Sequence, residues 1–345
     1  MKIVNKLTVI SLCTLLFAAC GGGGGDPAPA GGGGGGPIGT PGGGGTTTDL
    51  SSLTNDNAGL IAFVAMSNTK SYATALQTQG GTELLLAGFT LVDAQLKGLG
   101  NSGTRACDKE GMKTWAFTDN DGDTYLSTGD TWSFDQINCT DTDTYADGTW
   151  VINFIEHNPD NSVIARHDEM EFITDLYGTS FGSDYTFRGT YNLSITTPDN
   201  VVSTIVVSSD NIITATNGEP DSTLKNFMVS MVKDDASLAE TLEFRGDISD
   251  ASLGHYIVAT QAPLNGVDIP LLGGDQMYFA GEFTVTLDTG KVKLFVLDAS
   301  NVRISVDIEG DGLYETSFDT TWSDLTVKYM SFIGFNPFPD GVFPM

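Results

Sequence analysis

The sequence predicts a mainly β fold with one N-terminal helix, in which an antiparallel sheet forms a barrel, a half-barrel or a sandwich. Three observations support this prediction. Short segments after residue 112 alternate apolar and polar residues, turn residues such as Gly, Asp and Asn separate them, and one helical stripe precedes them. Short alternating strands with turn residues between them are typical of antiparallel architectures.

The predicted helix covers residues 58–77, because apolar side chains recur there every three or four positions. Thr54, Asn55 and Asp56 offer capping side chains before it. Gly80 and Gly81 are expected to end the helix. A second apolar stretch, 84–96, fits either a helix or a buried strand.

Thirteen segments carry the strand pattern, and two similar halves are one interpretation of their recurrence. The predicted strands are 114–118, 131–134, 149–155, 185–195, 201–207, 225–232, 242–248, 256–260, 279–287, 292–297, 302–307, 314–318 and 325–332. We therefore divide the chain into a leader (1–19), a linker (20–45), a helix-containing segment (46–112) and a β-rich domain (113–345).

The N-terminus has the layout of a secretory signal. Lys2 and Lys6 precede an apolar run, 7–17, which is shorter than the ~20 residues that span a bilayer. The run leads into Leu-Phe-Ala-Ala-Cys-Gly, which resembles the bacterial lipobox and implies that Cys20 is diacylated, palmitate being one such acyl chain. The alternative is ordinary signal cleavage, which would leave Cys20 as a free thiol.

The linker after Cys20 supports the lipoprotein interpretation. Residues 21–45 contain 16 glycines, a composition typical of a flexible tether, whose reach is roughly 25–30 Å. Such a tether would hold a folded domain away from a membrane surface. Because Gly21 follows the cysteine, and not the Asp that favours inner-membrane retention in some bacteria, the resemblance implies the outer membrane.

The net charge argues against two classes of partner. A formal net charge of −28 argues against nucleic acid, whose binding depends on cationic contacts with phosphate, and against anionic lipid head groups. The acidic residues are spread over many loops, which favours solubility, although a subset is a candidate for binding divalent cations.

Two cysteines remain after the leader and the lipidated residue are set aside. In an exported protein, Cys107 and Cys139 most simply pair as a disulfide, the alternative being two buried thiols.

Two acidic loops are candidate calcium sites, since calcium prefers hard oxygen ligands supplied from alternate positions. In the first loop, Asp119, Asp121, Asp123 and Asp130 take positions 1, 3, 5 and 12, a spacing that resembles EF-hand and dockerin loops. It departs from them at position 6, where Thr124 replaces the usual glycine. The alternative is a polar hairpin turn.

The second loop offers Asp307, Glu309 and Asp311 at positions 1, 3 and 5, with Gly312 at position 6. Position 12 is Phe318, so the final carboxylate of the calcium pattern is missing. No cofactor is required by either loop.

The tether, the acidic hairpin, the Asn-Cys that follows it and the Trp-containing C-terminal loop together resemble a broad set of β-rich bacterial lipoproteins. This resemblance implies a location and an architecture but no activity.

No catalytic motif is supported by its context. Residues 178–182 fit Gly-x-Ser-x-Gly, but a strand, and not the required helix, is predicted after them. His157, His167 and His255 lack a second ligand at metal spacing. We interpret the tryptophans first as side chains that pack in the core, and sugar stacking is the alternative. The four are Trp115, Trp132, Trp150 and Trp322.

The sequence therefore favours a membrane-anchored protein that binds or scaffolds an unknown ligand or protein outside the cytoplasm, on either the periplasmic or the surface side. One alternative is an exported hydrolase that acts on glycans through paired carboxylates. Another is a periplasmic carrier of an apolar ligand. Non-enzymatic function is the favoured interpretation.

Overall fold

Fourteen strands and two helices make up the secondary structure in the computed structural model. It describes residues 50, 52–96, 101–122, 127–141, 144–157, 166–180, 183–197, 201–216, 221–234, 236–269 and 275–332, without the side chains of 78, 80–96, 144, 166, 180, 183–184, 216, 268–269 and 275–277. The leader, Cys20 and the tether lie outside this range. Residues 48–345 form one compact unit.

The strands form a single antiparallel sheet in which each strand pairs with the next along the chain. They are β1 (Ser102–Ala106), β2 (Glu110–Thr118), β3 (Thr131–Thr140), β4 (Thr144–Glu156), β5 (Arg166–Ser180), β6 (Ser183–Thr197), β7 (Val202–Thr216), β8 (Ser222–Asp234), β9 (Ala239–Asp250), β10 (Gly254–Ile269), β11 (Asp275–Leu287), β12 (Gly290–Val296), β13 (Asn301–Asp307) and β14 (Thr316–Thr321). Among the described residues β1 and β14 do not pair, so the sheet stays open. The predicted antiparallel sheet is confirmed in its half-barrel-like form.

Alternation along each strand separates a buried face from a solvent face, because successive side chains point to opposite sides of a sheet. The register of β12 on β13 aligns the buried side chains, which are 0–3 % exposed. The facing pairs are Val292–Val306, Leu294–Ile304 and Val296–Val302. Each such side chain contributes roughly 1.5–3 kcal/mol when buried.

Helix α1 (Ala58–Leu96) packs against the buried face and contacts strands β6, β7, β8, β11, β12 and β13. Ile61, Val64 and Leu76 of this helix are buried in the same core as the strand side chains. At its N-terminus Thr54 and Asn57 exchange hydrogen bonds: the Thr54 amide donates to Asn57 Oδ1 (2.8 Å) and the Asn57 amide to Thr54 Oγ1 (3.3 Å). This reciprocal cap is why the helix begins at the predicted position.

The prediction that Gly80 and Gly81 end this helix is wrong, since one helix runs through both glycines to Leu96. A glycine costs only about 1 kcal/mol in a helix interior, and good helix formers such as Leu and Ala follow this pair. None of the helices in the described part of the chain is long and apolar enough to cross a membrane.

The C-terminal strand predicted at 325–332 is a helix, α2 (Trp322–Phe332). Thr321 caps it: its hydroxyl accepts from the Asp324 amide (3.0 Å) and donates to the Asp324 carboxylate (2.8 Å). The helix packs on α1 so closely that a Cβ on Gly59 would lie 2.9 Å from Leu325.

The disulfide Cys107–Cys139 is present, as predicted, with a Cα–Cα distance of 5.6 Å. It joins the turn after β1 to the end of β3, while the Lys109 amide donates to the Thr140 carbonyl (2.9 Å) beside it. The bridge therefore holds the edge hairpin of the sheet to its neighbouring strand.

Candidate metal centres

The first acidic loop connects β2 to β3, and three of its carboxylates converge. Oxygen atoms of Asp119, Asp121 and Asp130 all lie within 4.8 Å of one another. Asp123, the fourth predicted ligand, lies outside the described residues. The first loop thus brings together the three predicted ligands that lie within the described residues.

Hydrogen bonds within the loop hold these carboxylates. Asp130, which is 1 % exposed, accepts from the amides of Asn120 (2.9 Å) and Ser127 (2.8 Å). The Ser127 hydroxyl lies 2.9 Å from the Asp121 carboxylate and 3.1 Å from that of Asp130. Asp119 accepts from the Gly122 amide (2.5 Å). Part of the carboxylate capacity is therefore used to shape the turn itself.

The second acidic loop connects β13 to β14, and its cluster is Asp307, Asp311 and Glu315, again within 4.8 Å of one another. Predicted ligands Asp307 and Asp311 belong to it. Glu309 does not belong to it. Glu315, which the sequence reasoning missed, takes its place from position 9 of the loop. Counting carboxylates beyond position 5 would have indicated it.

Asp307 is the centre of the second loop. It is fully buried and accepts from the amides of Gly310 (2.6 Å), Asp311 (3.2 Å) and Gly312 (2.8 Å). Gly310 and Gly312 have φ of 72° and 92°, which glycine adopts without steric cost. The chain curls around the carboxylate, which has about four lone-pair positions and uses three of them here.

The donor set suits a hard cation. Both clusters consist of carboxylates, and calcium takes six to eight oxygen ligands, some of them from water and backbone carbonyls. Two unit charges about 4–5 Å apart repel by roughly 3–4 kcal/mol at an effective dielectric of about 20. A divalent cation would relieve this repulsion in both loops, so the residues fit calcium.

A third convergent group consists of Cys107, Cys139 and Asp141, and it does not offer a metal site of the same kind. Both sulfur atoms are in the disulfide, so neither is a thiolate that could bind metal. Asp141 instead pairs with Lys113 and accepts from the Asp108 amide (3.0 Å). Burial raises the pKa of Asp141, but the hydrogen bonds from Lys113 and the Asp108 amide outweigh burial, so the pKa is lowered.

The histidines lie in three separate contacts. His157 Nδ1 lies 2.7 Å from the buried carboxylate of Asp168, and His167 Nδ1 lies 2.7 Å from the Thr196 hydroxyl. His255 is bound between two surface carboxylates. The Gly-x-Ser-x-Gly segment begins at the end of β5, and β6 follows at Ser183, so a strand lies where the hydrolase motif requires a helix.

Trp115, Trp132 and Trp150 are 6 %, 0 % and 1 % exposed, which confirms the core interpretation for these three. Trp322 is half-buried at the start of α2 and donates to the Tyr278 carbonyl (3.3 Å). The tryptophans on strands therefore line the core and not an open groove.

Sequence reasoning also missed a buried polar cluster around Asp250 at the end of β9. Its Oδ2 accepts from Asn68 Nδ2 (3.0 Å), Tyr72 Oη (3.2 Å) and Tyr256 Oη (2.9 Å). Burial, followed by the Asp250 charge, raises the pKa of both tyrosines. No sequence pattern links residues so far apart.

At the other end of β9, Glu240 is 2 % exposed and faces Lys70 (3.4 Å), Lys233 (3.7 Å) and the Tyr278 hydroxyl (3.3 Å). The first half of α1 is thus attached to β9 through two carboxylates, Asp250 and Glu240, in addition to its apolar contacts.

Comparisons of the chain with known protein families, with curated proteins and with solved structures found no match.

Proposed function

We propose that this chain is an exported, lipid-anchored protein of the bacterial outer membrane, whose β domain binds or scaffolds a partner outside the cytoplasm, with calcium stabilising its acidic loops. The observation that carries the non-enzymatic part is the placement of the convergent carboxylates. They lie in two hairpin loops, where backbone amides hold them to the turn.

Two further observations favour this function over the alternatives. A glycan hydrolase of the kind predicted needs carboxylates beside exposed tryptophans, whereas the three strand tryptophans are in the core. A carrier of an apolar ligand needs space on the concave face of the sheet, whereas buried side chains of α1 pack there.

The anchor is tested by metabolic labelling of the full chain with palmitate in a bacterial host. We expect label on the wild-type protein and on Cys13→Ala, and none on Cys20→Ala. Cys13 is the matched control because it lies in the leader, which is removed. Label that persists on Cys20→Ala would refute the anchor.

Protease treatment of intact cells then distinguishes the surface, where the domain is digested, from the periplasm.

Calcium is tested by thermal unfolding of the purified full chain in EDTA and in calcium. At about 100 times Kd, a ligand stabilises by about 2.7 kcal/mol, which corresponds to a shift of roughly 4 °C or more. Asp311→Asn should reduce this shift, whereas Glu309→Gln, an acid of the same loop outside the cluster, should leave it unchanged. Equal melting temperatures in EDTA and calcium would exclude the calcium role.

A further inference from the structure

The solvent face of strands β2 to β5 carries a group of apolar and aromatic side chains, of which three are exposed and Tyr145 is half-buried. Met112 and Ile137 are direct cross-strand partners, 46 % and 51 % exposed. Tyr145 and Tyr177 lie on the next two strands with ring centroids 6.0 Å apart. We call these four residues the outer aromatic patch. Ala146 and Leu176, the strand neighbours of the two tyrosines, are buried in the core, so the tyrosine rings belong to the opposite face.

Local hydrogen bonds hold the patch in place. The Tyr145 hydroxyl donates to Asn138 Oδ1 (3.2 Å), and the Asn138 amide donates to the Asp147 carboxylate (2.9 Å). Asn138 has a φ of 46°, at a bulge in β3 directly after Ile137. The Tyr145 ring and the bulge are thus held before any partner arrives, which lowers the entropic cost of binding.

Two carboxylates lie at the rim of the patch, where Lys109 precedes one of them and Lys113 follows Met112 in the sequence. Asp147 lies beside Tyr177 in the register, and Glu110 lies in the row of Tyr145 through Thr140. Partial burial, followed by the charges of Asp147 and Glu110 with a contribution from Tyr177, raises the pKa of Tyr145. Among the described residues neither carboxylate has an ion-pair partner, since Lys113 pairs with Asp141 instead.

A second exposed aromatic residue provides a contrast. Phe295 on β12 is 42 % exposed, but the neighbouring charges neutralise each other: Lys293 pairs with Glu282 (3.2 Å) and Arg303 with Asp319 (2.7 Å). The charges next to Phe295 are therefore paired, whereas the two carboxylates at the rim of the outer aromatic patch have no ion-pair partner among the described residues.

Tyrosine rings and carboxylates without ion-pair partners among the described residues together suit one ligand chemistry. A Lys ammonium or an Arg guanidinium is attracted by the face of an aromatic ring and forms charge-assisted hydrogen bonds with a carboxylate. Tyr and Met are also enriched in protein interfaces. We infer that the outer aromatic patch, with Glu110 and Asp147 at its rim, docks a lysine- or arginine-bearing segment of a partner protein. This rests on the binding role proposed above and specifies its surface.

The test is the binding of a fluorescein-labelled hexa-arginine peptide to the purified full chain at about 150 mM salt, measured by fluorescence anisotropy. Tyr177→Ser keeps the charge of the protein and removes an exposed ring, so the core is untouched. The association constant should fall about three- to thirtyfold. Asp147→Asn should weaken binding too, whereas Phe295→Ser should change it less than twofold.

Several outcomes overturn this inference. Equal binding by wild type and Tyr177→Ser would mean that only the diffuse negative charge attracts the peptide. Binding no tighter than that of a Gly-Ser hexapeptide would mean that the patch docks no cationic segment. Tyr177-dependent binding of cellohexaose without hexa-arginine binding would assign the patch to glycan. Each result is independent of palmitate labelling at Cys20, which tests the anchor separately.

Discussion

Replacing Asp250 by Ala tests how α1 is held in the half-barrel-like sheet. The carboxylate accepts three side-chain hydrogen bonds, from Asn68, Tyr72 and Tyr256, and two from the amides of Ser252 and Leu253 at 2.8 and 2.9 Å. In Asp250→Ala all five donors lose this acceptor. Tyr256 is fully buried, so its hydroxyl is cut off from water as well.

The magnitude follows from those contacts. A hydrogen bond to a charged group contributes about 1.5–3 kcal/mol, and a buried donor left unsatisfied costs about 1–3 kcal/mol. The terms are not additive, and the Tyr72 hydroxyl keeps a second partner in Ser222 (3.0 Å). We therefore expect Asp250→Ala to lower the free energy of unfolding by about 3–5 kcal/mol.

Urea unfolding followed by near-ultraviolet circular dichroism measures this loss through the shift of the midpoint at constant slope. Asp288→Ala is the matched control, because that carboxylate lies on an exposed turn beside His255. A loss below about 1 kcal/mol for Asp250→Ala, equal to that of the control, would show that the Asp250 carboxylate does not hold α1.

Three further predictions concern the edge, the surface and the C-terminus. Cys139→Ser, which opens a disulfide across a sequence separation of 32 residues, should cost about 3–4 kcal/mol in urea unfolding, and reduction of the wild type should reproduce the loss. The hydrogen bond with Asp288 raises the pKa of His255, and the hydrogen bond and charge of Asp247 add to this against the opposing effect of desolvation. The charged His255 therefore contributes to stability below about pH 6.5, and this contribution is lost as the pH rises through the raised pKa. Because the pair is exposed, the effect should stay below about 1 kcal/mol, and His255→Gln should remove that part of the pH dependence of the melting temperature. Thr321→Ala removes the cap of α2 and should cost about 1 kcal/mol, while Thr320→Ala, one residue before the cap, should cost less; equal losses would refute the cap.

The strands were predictable where the alternation is strong. Thirteen segments carry it, and twelve of them are strands, with boundaries that differ from the prediction by several residues. β5 was missed because Asp168 and Thr174 are polar at inward positions and Ile173 and Tyr177 are apolar at outward positions, which breaks the alternation. β1 was missed because it is five residues long and mostly exposed.

The error at α2 has a local cause. Leu325, Tyr329 and Phe332 recur at helical spacing, and Thr321 and Asp324 form a cap in front of them, so the sequence contained the helix signal. The aromatic and β-branched content of the segment favoured a strand in the prediction. The hydrogen bonds of the cap and the packing on α1 outweigh that preference.

Local patterns in the sequence determined the antiparallel sheet, the start of α1, the pairing of two cysteines and the burial of three tryptophans. Each of these depends on neighbouring positions or on the count of one residue type. The five-donor contact of Asp250 and the outer aromatic patch were decided only by the tertiary structure. The physical reason is that register and strand curvature bring these side chains together across distances that no local period encodes.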